Sequence, residues 1–191
     1  FSSDKAVDPV GVYGRTKLEV ERMVQRFAGR SSTVLAVRAP NVLGSTGSVV
    51  PIADHQLASE KPLAVFDPDS SRFFLSGREV AATVLNAAME APHRSVVVPK
   101  PNGDTRIHDL LVRLAALRGV PLVTVSSAPR PGEKVHEALL TPAEEAAASD
   151  HGRYWVLAPP DQQGIIRRAA GWIHRHRMVL VLGAAAALAG M

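Results

Sequence analysis

The stretch "FSSDKAVDPVGVYGRTK" (residues 1–17) joins a short extended segment to a helix and carries two acid–base pairs. Tyr13 and Lys17 are four residues apart, so on a helix they share one face and lie about one turn from each other. A neighbouring ammonium favours the phenolate and makes a tyrosine hydroxyl a better base near neutral pH. Asp4 and Lys5 form the second pair. The Tyr–Lys spacing alone also fits an ordinary surface pair of a helix.

The composition predicts a folded globular protein rather than a disordered one. Of 191 residues, 46% are hydrophobic and 21% charged, which is enough for one medium domain or one domain and part of another. The net charge is +4, but the basic residues are scattered and aromatics are only 5%, so we expect no nucleic-acid surface. Cysteine is absent, which excludes disulfides and thiolate sites and suits a reducing cytoplasm. We expect no metal site, because His174 and His176 lie in a basic stretch with no carboxylate nearby and the other histidines show no ligand spacing.

Helical and extended patterns alternate along the chain, which predicts an α/β fold with a mainly parallel sheet. Such sheets bind ligands at the carboxyl ends of their strands. Two short strands are expected at 62–76 around a turn at 67–70. The other predicted strands are 33–40, 95–100, 121–127 and 153–159, and the clearest predicted helices are 13–29, 77–90, 106–119 and 161–174.

Four segments, in the same order, carry a resemblance to a known family. They are "SSDKA" with Pro9 and Y-x-x-x-K at 2–17, "VRAPNVLGSTGSVVP" at 37–51, "DPDSSRFFLS" at 67–76, and "RPGEKVHEALLTPAEE" at 130–145. The chain resembles the extended short-chain dehydrogenase/reductase superfamily. Within it, the chain is similar to the CapD-like polysaccharide biosynthesis proteins, the UDP-N-acetylglucosamine 4,6-dehydratase and epimerase group. Ala39-Pro40 before Asn41 and Thr46 in the loop depart from the family pattern.

The resemblance implies a fold and a division of the chain. The expected fold is the back part of a Rossmann-like, doubly wound parallel sheet with a small substrate-binding α/β subdomain. Residues 1–100 would complete the dinucleotide-binding domain, with substrate-binding segments inserted in it. Residues 101–174 would form mainly the nucleotide-sugar subdomain, and residues 175–191 an apolar tail.

The resemblance also implies catalytic roles for the first segment. Tyr13 would take the proton of the sugar 4-hydroxyl, and Lys17 would assist it and bind the nicotinamide ribose of NAD or NADP together with Tyr13. Lys5 would remove the proton from C5, and Asp4 would assist loss of the C6 hydroxyl as water. This assignment favours a 4,6-dehydratase. A C4-epimerase and a non-catalytic UDP-sugar-binding remnant are the alternatives.

The remaining segments resemble the substrate-binding positions of the family. Arg72, Arg130 and Glu133 match positions that hold the uridine diphosphate and its ribose. Asn41 matches a position near the sugar or the diphosphate. The expected partner is therefore a UDP-sugar, and Arg forks suit its phosphate oxygens.

The glycine-rich turn that binds the dinucleotide pyrophosphate in this family has no match in the sequence. We therefore expect the chain to be the C-terminal part of a longer enzyme and to be inactive alone. The complete enzyme is expected to be a cytoplasmic homo-oligomer. The apolar run at 178–191 is shorter than the roughly 20 residues of a spanning helix. It leaves open a packed terminal helix or a truncated membrane segment. A membrane association would run through this tail or through a missing N-terminal region.

Overall fold

The computed structural model describes residues 1–29, 32–128 and 131–162, and these residues form a mixed α/β fold. A 3-10 turn spans Asp4–Ala6. The helices are α1 (Val12–Arg26), α2 (Val49–Ala58), α3 (Gly77–Glu90), α4 (Ile107–Arg118) and α5 (Pro142–Ala147). The strands are β1 (Ser2–Ser3), β2 (Ala36–Ala39), β3 (Asn41–Val42), β4 (Leu63–Val65), β5 (Ser71–Leu75), β6 (Val96–Pro99), β7 (Asp104–Arg106), β8 (Thr124–Ser126), β9 (Ser149–Asp150) and β10 (Tyr154–Leu157).

The main sheet has the strand order β1-β2-β6-β10-β9. β1, β2 and β6 run parallel, whereas β10 is antiparallel to both β6 and β9. The predicted α/β fold with parallel strands is confirmed, and the antiparallel strands extend it at one side. Because Ser3 pairs with Ala39, the carboxyl ends of β1 and β2 lie side by side. The residues that follow these two strands, Asp4 and Asn41, are thereby brought together.

Both faces of the main sheet are covered. Successive side chains of a strand point to opposite faces, and clusters of buried residues lie on both. Val97 of β6 packs on one face with residues of α3. Val96 and Val98 point to the opposite face, where Val24 of α1 and Leu139 contact the same cluster. The run of valines in β6 is therefore a strand buried on both sides, which is typical of the interior of an α/β sheet.

A second hydrophobic cluster lies between α2, α4 and β4. It includes Ala53 and Leu57 of α2, Leu63 of β4, and Leu111 and Ala115 of α4. β4 pairs with β8, whereas β5 pairs with β3 and β7. The two strands expected at 62–76 are confirmed, but they do not pair with each other. This cluster supports the wall of the cavity described below.

Several element ends differ from the sequence predictions. β2 is shorter than the expected strand 33–40, because the chain leaves the main sheet at Pro40 and residues 41–42 join β5 in another sheet. α1 ends at Arg26, ahead of the predicted stop at Gly29. α4 ends as predicted, with Gly119 in the left-handed conformation that favours glycine (φ 67°).

Arg38 in β2 is a fully buried cation held by two carboxylates. Its guanidinium contacts Glu21 of α1 at 2.7 and 2.9 Å and Glu144 of α5 at the same distances. It also donates to the carbonyl of Leu139 at 2.9 Å. Burial alone would raise the pKa of Glu144, but the hydrogen bonds and charge of Arg38 outweigh it and hold that pKa below its usual value. The network therefore loses stability as the pH falls through this lowered pKa.

Replacing Arg38 with methionine is expected to lower the free energy of unfolding by about 3–5 kcal/mol, because Glu21 would remain buried without its partner. Urea-induced unfolding measures the change. Arg22→Met is the matched control. Arg22 and Glu19 are half exposed and lie 3.4 Å apart, so this pair contributes little to the free energy of unfolding. Equal losses in the two variants would show that the buried network does not hold α1 and α5 to the sheet.

Within the described ranges, no helix is long and apolar enough to cross a membrane. The apolar tail predicted at 175–191 lies outside the described residues. The helix predicted at 161–174 also lies outside them from residue 163 onward.

Candidate active site

Asp4 sits at the carboxyl end of β1, buried to 2% exposure. The hydroxyl of Ser3 donates to Asp4 Oδ1 at 2.7 Å, and Asn41 Nδ2 lies 3.4 Å from Oδ2. Burial raises the pKa of Asp4 and the charge of Glu137 adds to this, against the Ser3 hydrogen bond and the charge of Lys5. Asp4 is therefore a carboxyl group that retains its proton to higher pH than usual, as a general acid requires.

Lys5 is half-buried and its ammonium is paired with Glu137, at 2.5 Å from Oε1. Glu137 also lies 3.4 Å from the ammonium of Lys134, which donates to the carbonyl of Val7 at 2.6 Å. The sequence interpretation missed Glu137 and Lys134 as site residues. Their signal was the "RPGEKVHE" motif, which contains both, but no local pattern reveals a contact across 132 positions.

Tyr13 and Lys17 lie on one face at the start of α1, as predicted. The ammonium of Lys17 is 5.4 Å from the centre of the Tyr13 ring and donates to the carbonyl of Phe1 at 3.3 Å. The Tyr13 side chain is largely exposed (57%) and lines the same cavity as Lys5. The structure thus places the predicted base next to the second acid–base pair.

Close backbone approaches at three glycines bring these groups together. A Cβ on Gly14 would lie 2.3 Å from the backbone oxygen of Lys5, so only glycine lets α1 approach the Asp4–Ala6 turn this closely. Gly132, at φ 82°, also lies close to Gly11, and a Cβ added to Gly132 would meet the Gly11 Cα at 2.8 Å. The loop before Glu133 is thereby held against the loop before Tyr13.

Gly14→Ala is expected to reduce kcat by about 10²-fold, because α1 must move away from Lys5 and a misplacement near 1 Å has this effect on positioned groups. Turnover by the complete enzyme measures the loss. Gly77→Ala serves as the control, since a Cβ there meets no atom within 4 Å. Full activity of the Gly14 variant would show that the close approach is not needed for catalysis.

Arg72 of β5 is almost fully buried and contacts the segment that follows Arg130. Its guanidinium donates to the carbonyls of Lys134 and Val135 at 2.8 Å and lies 3.5 Å from Glu133. These contacts hold the 133–135 segment in place, and the side chain still reaches the cavity wall. Arg130 lies outside the described residues.

These elements enclose a cavity of about 500 Å³, within the range of small-molecule sites. Its lining combines polar side chains with apolar ones, several of which belong to the cluster between α2, α4 and β4. Its polar lining includes Lys5, Tyr13, Asn41, Ser48, Arg72, Glu133 and Lys134, and its apolar lining includes Val49, Ile52, Leu63, Val65, Phe66, Phe74, Ile107 and Leu111. Asp4 and Lys17 lie beside the cavity, next to residues that line it. The arrangement can hold a polar molecule between an acid, a base and an apolar wall.

The chain belongs to the polysaccharide biosynthesis protein family, whose model matches residues 1–159. It is 37% identical over 149 residues to the capsular polysaccharide biosynthesis protein CapD of Staphylococcus aureus, covering 75% of this chain and 25% of CapD. It is 32% identical over 161 residues to a UDP-glucose 4-epimerase of Rickettsia felis, covering 82% of this chain and 47% of that protein. The resemblance to CapD-like short-chain dehydrogenases/reductases is thereby confirmed.

Solved structures share the fold. The structure of Pen from Bacillus thuringiensis has a TM-score of 0.77 at 27% identity and covers 83% of this chain and 52% of that chain. Other structural neighbours are nucleotide-sugar dehydratases and epimerases solved with NAD. The chain spans a quarter of CapD and about half of the epimerase and of Pen.

Proposed function

We propose that this chain is the catalytic and substrate-binding part of a nucleotide-sugar 4,6-dehydratase of surface polysaccharide biosynthesis. The observation that carries the proposal is the juxtaposition of a buried carboxyl with a raised pKa, Asp4, and an amine, Lys5, beside the cavity lined by Tyr13. An elimination requires an acid and a base acting on adjacent carbons. A C4-epimerase needs the tyrosine but has no use for the second pair.

The cofactor would be NAD or NADP, and the residues at the start of α1 fit its nicotinamide ribose. Lys17 and Tyr13 lie on one face of α1, with the Lys17 ammonium 5.4 Å from the centre of the exposed Tyr13 ring. When bound, the cofactor supplies the hydride acceptor at C4 and the hydride donor at C6. No part of the sequence matches the family's pyrophosphate-binding turn, so we propose that a preceding segment of a longer chain provides it.

The residues of this chain would act in sequence on the bound sugar. Tyr13 accepts the proton of the 4-hydroxyl as the 4-ketone forms. The ketone acidifies C5, whose proton passes to the neutral amine of Lys5. The electron pair left behind forms the C5–C6 double bond while the C6–O bond breaks. The departing hydroxyl takes the proton of Asp4 and leaves as water.

The diphosphate end of the substrate would lie toward Arg72 and Glu133, with Arg130 as a further cation from outside the described residues. Asn41 donates to the carbonyl of Phe73 and lies next to Asp4, so it would orient the sugar end. The substrate proposed is UDP-N-acetylglucosamine. Its diphosphate suits the basic and polar residues that line the cavity.

The test is to incubate the complete protein with UDP-N-acetylglucosamine and NAD or NADP and to weigh the sugar nucleotide by mass spectrometry. A dehydratase product has lost one water. The epimerase alternative, favoured by the Rickettsia relative, gives an unchanged mass and an inverted C4 by NMR. Binding of UDP without any product would favour a non-catalytic module instead.

A further inference from the structure

Glu137 is a buried carboxylate placed between two lysines at the edge of the cavity. Its side chain is 0% exposed, with Oε1 at 2.5 Å from Lys5 and Oε2 at 3.4 Å from Lys134. We propose that Glu137 is a positioning residue of the elimination step, which acts through Lys5 and Asp4. This inference rests on the proposed dehydratase function and adds a residue to it.

The contacts of Glu137 differ from those of a carboxylate that only holds the fold together. Glu144 shares Arg38 with a second carboxylate and also caps the start of α5 through Thr141. Glu137 Oε2, in contrast, is buried and makes no hydrogen bond within the part of the chain that the structure describes. Burial of a charged group without full satisfaction is costly. The carboxylate lies at a point where it faces Lys5 and Lys134, two cations that line the cavity.

The first role of Glu137 is to accept a proton from Lys5, because Lys5 acts as a base only as a neutral amine. An ammonium cannot accept the C5 proton, so Lys5 must first lose one. Glu137 Oε1 lies within hydrogen-bond distance of that ammonium. Transfer breaks an N–H bond of Lys5 and forms an O–H bond on Glu137, which leaves the net charge unchanged and removes a buried ion pair. For as long as Glu137 holds that proton, Lys5 is a free amine that can accept the C5 proton.

Lys134 keeps this arrangement fixed from the other side. Its ammonium donates to the carbonyl of Val7 at 2.6 Å, which ties it to the segment that follows the Asp4–Ala6 turn. Lys134 therefore faces Glu137 from the 133–135 segment while Lys5 faces it from the turn. The carboxylate links the two segments that meet at the cavity.

The second role concerns Asp4. In the resting site the charged groups that act on Asp4 are Lys5 and Glu137, with Lys134 next to Glu137. Burial raises the pKa of Asp4 most, and the charge of Glu137 raises it further. Removing that charge lowers the pKa of Asp4. Because Asp4 must be protonated to act as the acid, the alkaline limb of the activity profile would move to lower pH.

The test compares Glu137→Gln, Glu137→Asp and the control Glu144→Gln in the complete enzyme with UDP-N-acetylglucosamine. Glutamine can accept a hydrogen bond from Lys5 but no proton. We expect Glu137→Gln to lower kcat by about 10²-fold or more with KM changed by no more than a few fold, and to shift the alkaline limb to lower pH. Glu137→Asp keeps the negative charge. It should therefore have a higher kcat than the glutamine variant, and the alkaline limb of its pH profile should stay in place. Glu144→Gln, which preserves the helix cap, should lower only the melting temperature.

The inference is overturned if Glu137→Gln dehydrates the substrate with the kcat and pH profile of the wild type. It is also overturned if the loss of kcat equals the loss of folded protein, which UDP binding measures. If the glutamine variant does not fold, the aspartate variant tests the role of Glu137 instead. Its side chain is one methylene shorter, so an unchanged kcat would remove Glu137 from the step and a reduced kcat with normal UDP binding would support it. A wild type that yields no dehydrated product would overturn the proposed function itself.

Discussion

Replacing Lys5 with alanine in the complete enzyme is expected to stop the reaction at the 4-ketone. The loss of a positioned base lowers the rate of a proton transfer by about 10²–10⁴-fold, and the Lys5 side chain is the amine that lines the cavity beside Asp4. Tyr13 remains in place, so oxidation at C4 should continue. Rapid quenching with borodeuteride and mass spectrometry would show a trapped ketone that retains its C6 oxygen.

The control for this experiment is Lys100→Ala. Lys100 is also paired with a carboxylate at 2.5 Å, that of Asp150, and it lies over the Trp155 ring in the main sheet. Its removal should leave the dehydration rate unchanged. A Lys5 variant that forms the dehydrated product at the wild-type rate would remove Lys5 from the mechanism.

Replacing Tyr13 with phenylalanine is expected to stop the reaction one step earlier. The change deletes the proton acceptor of the 4-hydroxyl but retains the ring that contacts Lys17 at 5.4 Å. We expect a loss of about 10²–10⁴-fold in kcat, the contribution of a positioned general base. No ketone should be trapped by borodeuteride, in contrast to the Lys5 variant, while UDP binding stays near that of the wild type.

Tyr154→Phe is the matched control for the tyrosine. Its hydroxyl donates to Glu90 at 3.0 Å in the buried core, on β10. We expect it to lower the free energy of unfolding by about 1 kcal/mol, the usual effect of one lost hydrogen bond, with unchanged turnover. Ketone formation at the wild-type rate by the Tyr13 variant would contradict the assigned role.

Local sequence signals predicted the helices and strands of this fold better than they predicted which strands pair with each other. α3 is fixed by its own sequence, with a capping box between Ser76 and Glu79, and α4 by the left-handed Gly119 at its end. The strands at 62–76 were also predicted, but a strand pattern does not specify which neighbour it joins. β5 pairs with residues before and after it in the chain, and these pairings depend on tertiary contacts.

At the site, too, contacts between distant segments have no local sequence signal. Asp4, Lys5, Tyr13 and Lys17 were predicted as site residues from one motif of seventeen residues that resembles the family, and their catalytic roles stay predictions. The ion pair of Lys5 with Glu137 joins segments 132 positions apart, so only the fold reveals it. Arg72 was predicted to contact phosphate, and that role stays a prediction; in the structure its guanidinium holds the 133–135 segment through backbone carbonyls. This contact has no sequence signal, because a carbonyl acceptor is present at every residue.

The most direct test of the account is to run the reaction of the complete enzyme in D₂O and examine the sugar nucleotide by NMR. If Lys5 and Asp4 carry out an elimination across C5 and C6, the product is a 4-keto-6-deoxy sugar with solvent deuterium at C5. This is the predicted result. A product that keeps its C6 hydroxyl and its C5 proton, with only C4 inverted, would contradict the dehydratase proposal and identify the protein as an epimerase.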